Sequence, residues 1–217
     1  MSLHIVFLYK INILNQTLFL LWKIMEKSKQ QIREEILIKR KKLTNKERNL
    51  FSKTICKTLE QTTIFQNAKC IAFYYATPDE VQTIACIEKR YTQKKIVLPI
   101  VKGENLAFYE YKGKNQIKKG SFDIMEPIIE NTDEQAILPE NIDIFIVPGM
   151  AFDQHCNRIG HGKGFYDRLL SEMQKPKIGL CFSCQLLDNI PTKKHDIKMS
   201  MVITEEKIFL HSKNILL

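Results

Sequence analysis

Hydrophobic positions along the chain follow two different periods. From Glu26 to Leu43, Ile32, Ile36 and Leu43 recur near a 3.6-residue spacing among charged neighbours, which predicts an amphipathic helix. Ser28, followed three residues later by Gln31, is a capping-box signature at its start. A second box, Thr44 to Glu47, opens another helix with Leu50, Ile55 and Leu59 on one face. The two read as a packed helix pair at the N-terminal end. Beyond them the pattern changes to short, nearly continuous apolar runs, as strands buried on both faces require. Cys70–Tyr75, Lys95–Val101 and Ile142–Pro148 are such runs, and Lys177–Phe182 and Met201–Thr204 follow, the latter as a short last strand. Leu106–Tyr111 reads as an edge strand of a hairpin. Val81–Tyr91 and Phe165–Met173 carry helical patterns between the strands.

Strands alternating with helices predict an α/β fold: a three-layer domain with a mostly parallel central sheet flanked by helices, preceded by the helix pair. Neither a repeat nor a low-complexity linker divides residues 25–217, which read as a single domain. Residues 1–24 are a different matter. They are rich in Leu, Ile and Phe, but Lys10, Asn12, Asn15, Gln16 and Thr17 break the run, so no membrane span is expected. They carry neither the arginines of a mitochondrial presequence nor a small-residue cleavage site. We read them as an N-terminal extension, with Met25 as the expected biological start.

Composition then narrows the function classes. At 217 residues, 44% hydrophobic and 26% charged, the chain can bury a sizeable core without disulfide or metal staples. A net charge of +9 raises nucleic acid as a partner. The lysines are spread out, though, and lack interleaved stacking aromatics. The densest run, Lys39–Lys42, sits at a helix end where the dipole favours cations. A phosphate-rich small molecule suits the charge better. The six cysteines include one C-x-x-C pair, Cys181 and Cys184, without the second half a zinc site needs. Reduced thiols and a cytoplasmic setting are expected.

The stretch from Gly149 to Gly164 carries the chemistry. It follows the clearest buried strand, and in parallel α/β sheets ligands bind beyond the strands' carboxyl ends. Gly160, Gly162 and Gly164 alternate with His161 and Lys163, in a chain with only 8 glycines. Each glycine costs about 0.5–1 kcal/mol in ordering relative to alanine. That cost makes sense where backbone N–H groups must approach an anion, with Arg158 and Lys163 adding charge. The spacing matches neither the P-loop nor the dinucleotide fingerprint. It is a phosphate-type loop of a third kind.

"VPGMAFDQHCNRIGHGKGFYDRLL" resembles the signature of the 5-formyltetrahydrofolate cyclo-ligase family, whose usual form is close to V-P-G-x-x-F-D-x-x-G-x-R-L-G-x-G-x-G-Y-Y-D. "KQQIREEILIKRKKLT", "FYYATPDEVQT", "KIVLPIV", "GSFDIMEP" and "HDIKMSMVITE" fall in the family's order, so the resemblance runs from about Met25 to Glu206. It implies a magnesium-dependent reaction of ATP with 5-formyltetrahydrofolate, free or polyglutamylated, giving 5,10-methenyltetrahydrofolate, ADP and phosphate. The formyl oxygen would attack the γ-phosphate, N10 would close on the activated carbon, and phosphate would leave. Positioning and charge neutralisation carry such phosphoryl transfer. A monomer without nucleic-acid or membrane partners is expected. The competing readings are a family-like RNA-binding protein without catalysis and a sugar-phosphate enzyme on the same architecture.

Matched position by position, the resemblance assigns ATP to Lys29, Arg33, Arg158, Ile159, Gly160, His161, Gly162, Lys163, Gly164, Phe165 and Tyr166. It assigns the folate to Arg33, Tyr75, Glu80 and the stretch His161–Phe165, and Mg2+ to Asp167 and Asp196. Plainer readings stand beside these: a solvated pair for Lys29 and Arg33, a dipole-favoured first-turn Asp167, a helix-capping Glu80, a turn residue in Asp196. Three positions depart from the family pattern. Cys156 replaces a frequent glycine, which predicts a less tight turn before Asn157. Phe165 replaces a tyrosine, and Ser200 stands where a second acidic residue is frequent.

Overall fold

The computed structural model describes residues 27–120, 124–129 and 136–211. The extension read for residues 1–24, and Ser121 to Asp123 of "GSFDIMEP", lie outside them. Helix α1 spans Lys29–Lys42 and α2 spans Asn45–Gln61, each opened by the expected capping box with both halves closed. Ser28 Oγ accepts from the Gln31 N–H at 3.2 Å while Gln31 Oε1 accepts from the Ser28 N–H at 2.8 Å. Helix α2 turns Ser52, Ile55, Cys56 and Leu59 inward. Leu50, expected on that face, is 59% exposed. Five residues at about 100° each carry it about 140° round from Ile55. A short α3, Thr63–Asn67, leads to strand β1, Cys70–Ala72.

Helix α4 covers only Ile84–Arg90. The expected start at Val81 fails because side chains hold residues 81–83 in a loop: Tyr74 Oη donates to the Val81 carbonyl, the Gln82 N–H to Ser52 Oγ, and Thr83 Oγ1 to the Tyr74 carbonyl. Strands β2 (Lys95–Lys102) and β3 (Asn105–Glu110) form the expected edge hairpin. Strands β4 (Ile117–Lys119) and β5 (Met125–Pro127) form a separate two-stranded piece. Then come β6 (Ile144–Val147), a β7–β8 hairpin (Ala151–Asp153, Arg158–Ile159), α5 (Phe165–Ser171) and β9 (Lys177–Leu180). Strand β10 (Leu186–Leu187) pairs with β7. Strand β11 (Met201–Ile203) is not the last, because β12 (Ile208–Leu210) turns back antiparallel beside it.

The main sheet runs β12-β11-β9-β6-β1-β2-β3, parallel from β11 to β2 and antiparallel at both edges. Successive side chains of a strand point to opposite faces. Ile71, Ile144, Ile146, Ile178 and Met201 therefore pack with Ile55 and Leu59 of α2, Phe65 of α3 and Ile87 of α4. Cys70, Ala72, Phe145, Val147 and Val202 pack on the other face with Phe152 and with Leu170 of α5. Two-sided burial explains why these strands read as continuous apolar runs. Helix α1 joins through Ile32 and Ile36, which pack on Met150, Ala151 and Ile159 of the β7–β8 hairpin.

Candidate active site

The chain leaves β1 toward β2 and β3 on one side, then returns to lay β6 on the other side. The strand order thus reverses between β1 and β6, the place where an open α/β sheet splits beyond its carboxyl ends. A cleft of about 990 Å³ opens there, with Tyr74 and Tyr75 after β1 and Pro148 after β6 in its wall. Every position matched above lines this cleft: Lys29, Arg33, Tyr75, Glu80, the run from Arg158 to Asp167, and Asp196. Pro99, Val101, Leu106, Ile124 and Met125 give it an apolar side.

The three glycines of the loop serve different needs. Gly162 and Gly164 hold φ of +102° and +72°, a region that L side chains rarely adopt. Gly160 leaves space instead: a Cβ there would lie 2.7 Å from Arg158 Nη1. The stretch is more ordered than a loop, since the β7–β8 hairpin sits inside it. Asp153, fully buried, organises that hairpin turn. Its carboxylate accepts from the backbone N–H groups of His155, Asn157 and Ile190 and from Asn157 Nδ2. Cys156 takes φ 63°, the only positive φ among described non-glycine residues. The turn therefore keeps its tight form, with Cys156 in a strained conformation where glycine would be free. Its buried thiol is pushed up to about 11 by desolvation and the Asp153 charge.

Cations reach the cleft from helix α1, strand β8 and the glycine loop, which carries Lys163. Arg33 Nε on α1 donates to the Gly160 carbonyl at 2.8 Å, pinning the helix to the loop. Lys29, one turn earlier, pairs with Asp196, whose same oxygen also accepts from the Lys193 N–H. Burial alone would raise the Asp196 carboxyl, but the bonds from Lys29 and Lys193 outweigh it and hold it below the ordinary range. Arg158 is 5% exposed and donates to the Pro148 carbonyl at 3.1 Å and to Asp167 Oδ1 at 3.0 Å. Its guanidinium lies 5.7 Å from the centre of the Tyr166 ring. Burial pushes the Tyr166 hydroxyl far up.

Glu80 is not a helix cap; Thr83 holds that place for α4. Glu80 Oε2 accepts from the Thr77 N–H at 2.9 Å, and Oε1 stands 3.7 Å from His161 Nε2. The His161 ring is 52% exposed, yet desolvation by the cleft walls lowers its pKa, aided by Arg40 and Arg158 and opposed by Glu80. Arg40 escaped the sequence reading because it stands in a run of four cations. Its position four residues after Ile36, on the buried face of α1, was the signal.

The model of the 5-formyltetrahydrofolate cyclo-ligase family matches residues 25–205. The chain belongs to that family. It is 33% identical over 179 residues to the 5-formyltetrahydrofolate cyclo-ligase of Haemophilus influenzae, covering 79% of this chain and 94% of the relative. The solved 5,10-methenyltetrahydrofolate synthetase of Aquifex aeolicus is similar at 30% identity and a TM-score of 0.77, over 87% of this chain and 95% of that one. The synthetase of Mycoplasma pneumoniae is similar at 25% identity and a TM-score of 0.67, over 82% and 99%. This cyclo-ligase family member is therefore an enzyme, and its departures can be placed. Phe165 lines the cleft with its ring 5.5 Å from the Arg168 guanidinium. Ser200 is spent elsewhere: its hydroxyl accepts from the Lys177 N–H at 3.1 Å, at the start of β9.

Proposed function

We propose that the enzyme closes 5-formyltetrahydrofolate to 5,10-methenyltetrahydrofolate with ATP, releasing ADP and phosphate. The observation that carries this reading is that one cleft gathers every matched position, with several cations and an apolar wall. Its volume of about 990 Å³ lies at the top of the range for one ligand, which suits two substrates held together. Lys29, Arg33 and Lys163 would neutralise the triphosphate, and the glycine loop would let it approach the backbone. Tyr75, Glu80 and the apolar wall would hold the folate, its formyl oxygen aimed at the γ-phosphate. N10 then attacks the activated carbon, and the oxygen departs with phosphate.

Asp167 and Asp196 would hold Mg2+. Each carboxylate has one oxygen engaged, by Arg158 and by Lys29 with Lys193, and one to which no described residue donates. Among the described residues no cluster of three or more His, Cys, Asp and Glu could hold a metal. Two hard carboxylates without a third partner suit a cation that arrives with nucleotide phosphates and water. When bound, Mg2+ offsets charge on the transferring phosphoryl group.

The reading includes a monomer, and a cytoplasmic setting that free thiols at all six cysteines suit. No helix among the described residues is long and apolar enough to cross a membrane. The test is absorbance in the methenyl-folate band after mixing enzyme, 5-formyltetrahydrofolate, magnesium and ATP. A rise that needs every component is expected, and Lys163→Ala should lower kcat on the order of 10²-fold. No rise from a folded, ATP-binding protein would overturn the substrate assignment.

A further inference from the structure

Helix α1 carries a third cation on the side of its two matched residues, buried behind the cleft rather than lining it. Lys29, Arg33 and Arg40 share one side, since eleven residues at about 100° each come to three turns and about 20°. The first pairs with the 193–196 turn, the second with the glycine loop. Arg40, 2% exposed, forms an ion pair with Asp79 through Nη2, and its Nη1 lies 3.4 Å from Met150 Sδ. Its Nε is buried without a hydrogen-bond partner among the described residues.

Asp79 hands this anchorage on. Its other oxygen accepts from Thr77 Oγ1 at 3.1 Å, and the Thr77 N–H donates to Glu80 Oε2 at 2.9 Å. Glu80 Oε1 is left facing the cleft and His161. The contacts form one relay, Arg40 to Asp79 to Thr77 to Glu80. A buried arginine with an unsatisfied nitrogen, paired to a carboxylate that is 34% exposed, is a poor way to stabilise a fold. Apolar residues of the same volume would serve stability as well or better.

We infer that Arg40 is a positioning residue for the folate: through Asp79 and Thr77 it sets the Glu80 carboxylate and ties the folate wall to the helix that carries Lys29 and Arg33. This rests on the proposed reading of Glu80 as a folate-binding group.

The experiment compares Arg40→Met, Asp79→Asn, the Arg40→Met/Asp79→Asn double variant and Glu80→Gln, each alone and the first three also with Glu80→Gln. The readouts are kcat, both KM values and the melting temperature. The expected result is a rise of about tenfold in KM for 5-formyltetrahydrofolate, of the size that misplacing a binding group produces, with KM for ATP within about twofold. The double variant should melt no lower than wild type. With Glu80→Gln already present, the Arg40 and Asp79 changes should add less than about twofold. If Arg40→Met alone does not fold, Asp79→Asn and the double variant decide. An unchanged folate KM, a parallel loss of kcat, both KM values and melting temperature, or effects that multiply with Glu80→Gln would overturn the inference while leaving the proposed reaction standing. A wild-type protein without turnover would overturn both.

Discussion

Gly162 shows how a single backbone angle can be spent on a site. At φ +102° an alanine is strained whatever the space around it, although the nearest group, the Arg33 guanidinium, is at an ordinary 3.6 Å. Gly162→Ala should therefore destabilise the fold by about 1–2 kcal/mol, read as a lower denaturant midpoint at unchanged slope. The same residue scale separates what the sequence makes legible from what it hides. The glycine spacing pointed to this loop because a costly residue repeated there needs a reason. Arg40 stayed hidden because a charged residue in a basic run has a sufficient explanation in the helix dipole. Its place four residues after Ile36, and in the fold its contacts with Asp79 and Met150, set it apart from Lys39, Lys41 and Lys42. Arg158 was legible as a cation of the loop, but not as a strut, since its bonds run to Pro148 and Asp167 across the hairpin.

Between elements, α2 and α4 are joined by Glu60. Arg90 Nε and Nη2 fork onto its two oxygens at 2.9 Å each, and Lys89 adds a third contact at 2.7 Å. Burial by itself would raise the Glu60 carboxyl, yet the fork and Lys89 bring it down to about 2 from 4.5. A carboxyl lowered in the folded state adds stability that is complete above its unfolded pKa and fades as pH falls through the folded one. Wild type should therefore be more stable than Glu60→Gln at neutral pH, with the gap closing between about pH 4.5 and 2. Urea titrations of both proteins across that window check it; a constant gap would refute the ion pair's part. Element by element, legibility followed length and burial. The capping boxes and the two-sided strands stood out because local hydrogen bonds and periodic burial set them. Strands β7, β8, β10 and β12 are only two or three residues long, too short for a local period to mark them, and β10 is held by a partner, β7, distant in sequence.

On the scale of the whole molecule, the +9 charge is the feature most open to misreading. Its cations are spread along the chain without interleaved stacking aromatics, and some serve the fold itself: Arg40 pairs with Asp79, Lys89 and Arg90 with Glu60, Arg158 with Asp167. We expect no RNA retention at physiological salt, tested by filter binding across a salt series. ATP with magnesium, by contrast, should stabilise the protein by about 2.7 kcal/mol at a hundredfold excess over Kd. A steep salt-dependent RNA complex together with no thermal shift on adding nucleotide would reverse the assignment.

The sheet order has a consequence for how the chain is made. Strand β1 lies inside the sheet, between β2 and β6, yet β6 begins only at Ile144. During synthesis the half-sheet of β1, β2 and β3 must wait with one flank of β1 bare. That flank belongs to Cys70–Ala72, a fully apolar strand with none of the charges or prolines that guard natural edges. Nascent chains stalled before Ile144 would thus be open to mispairing with one another. The crossing of the chain that creates the cleft also delays the covering of this apolar flank.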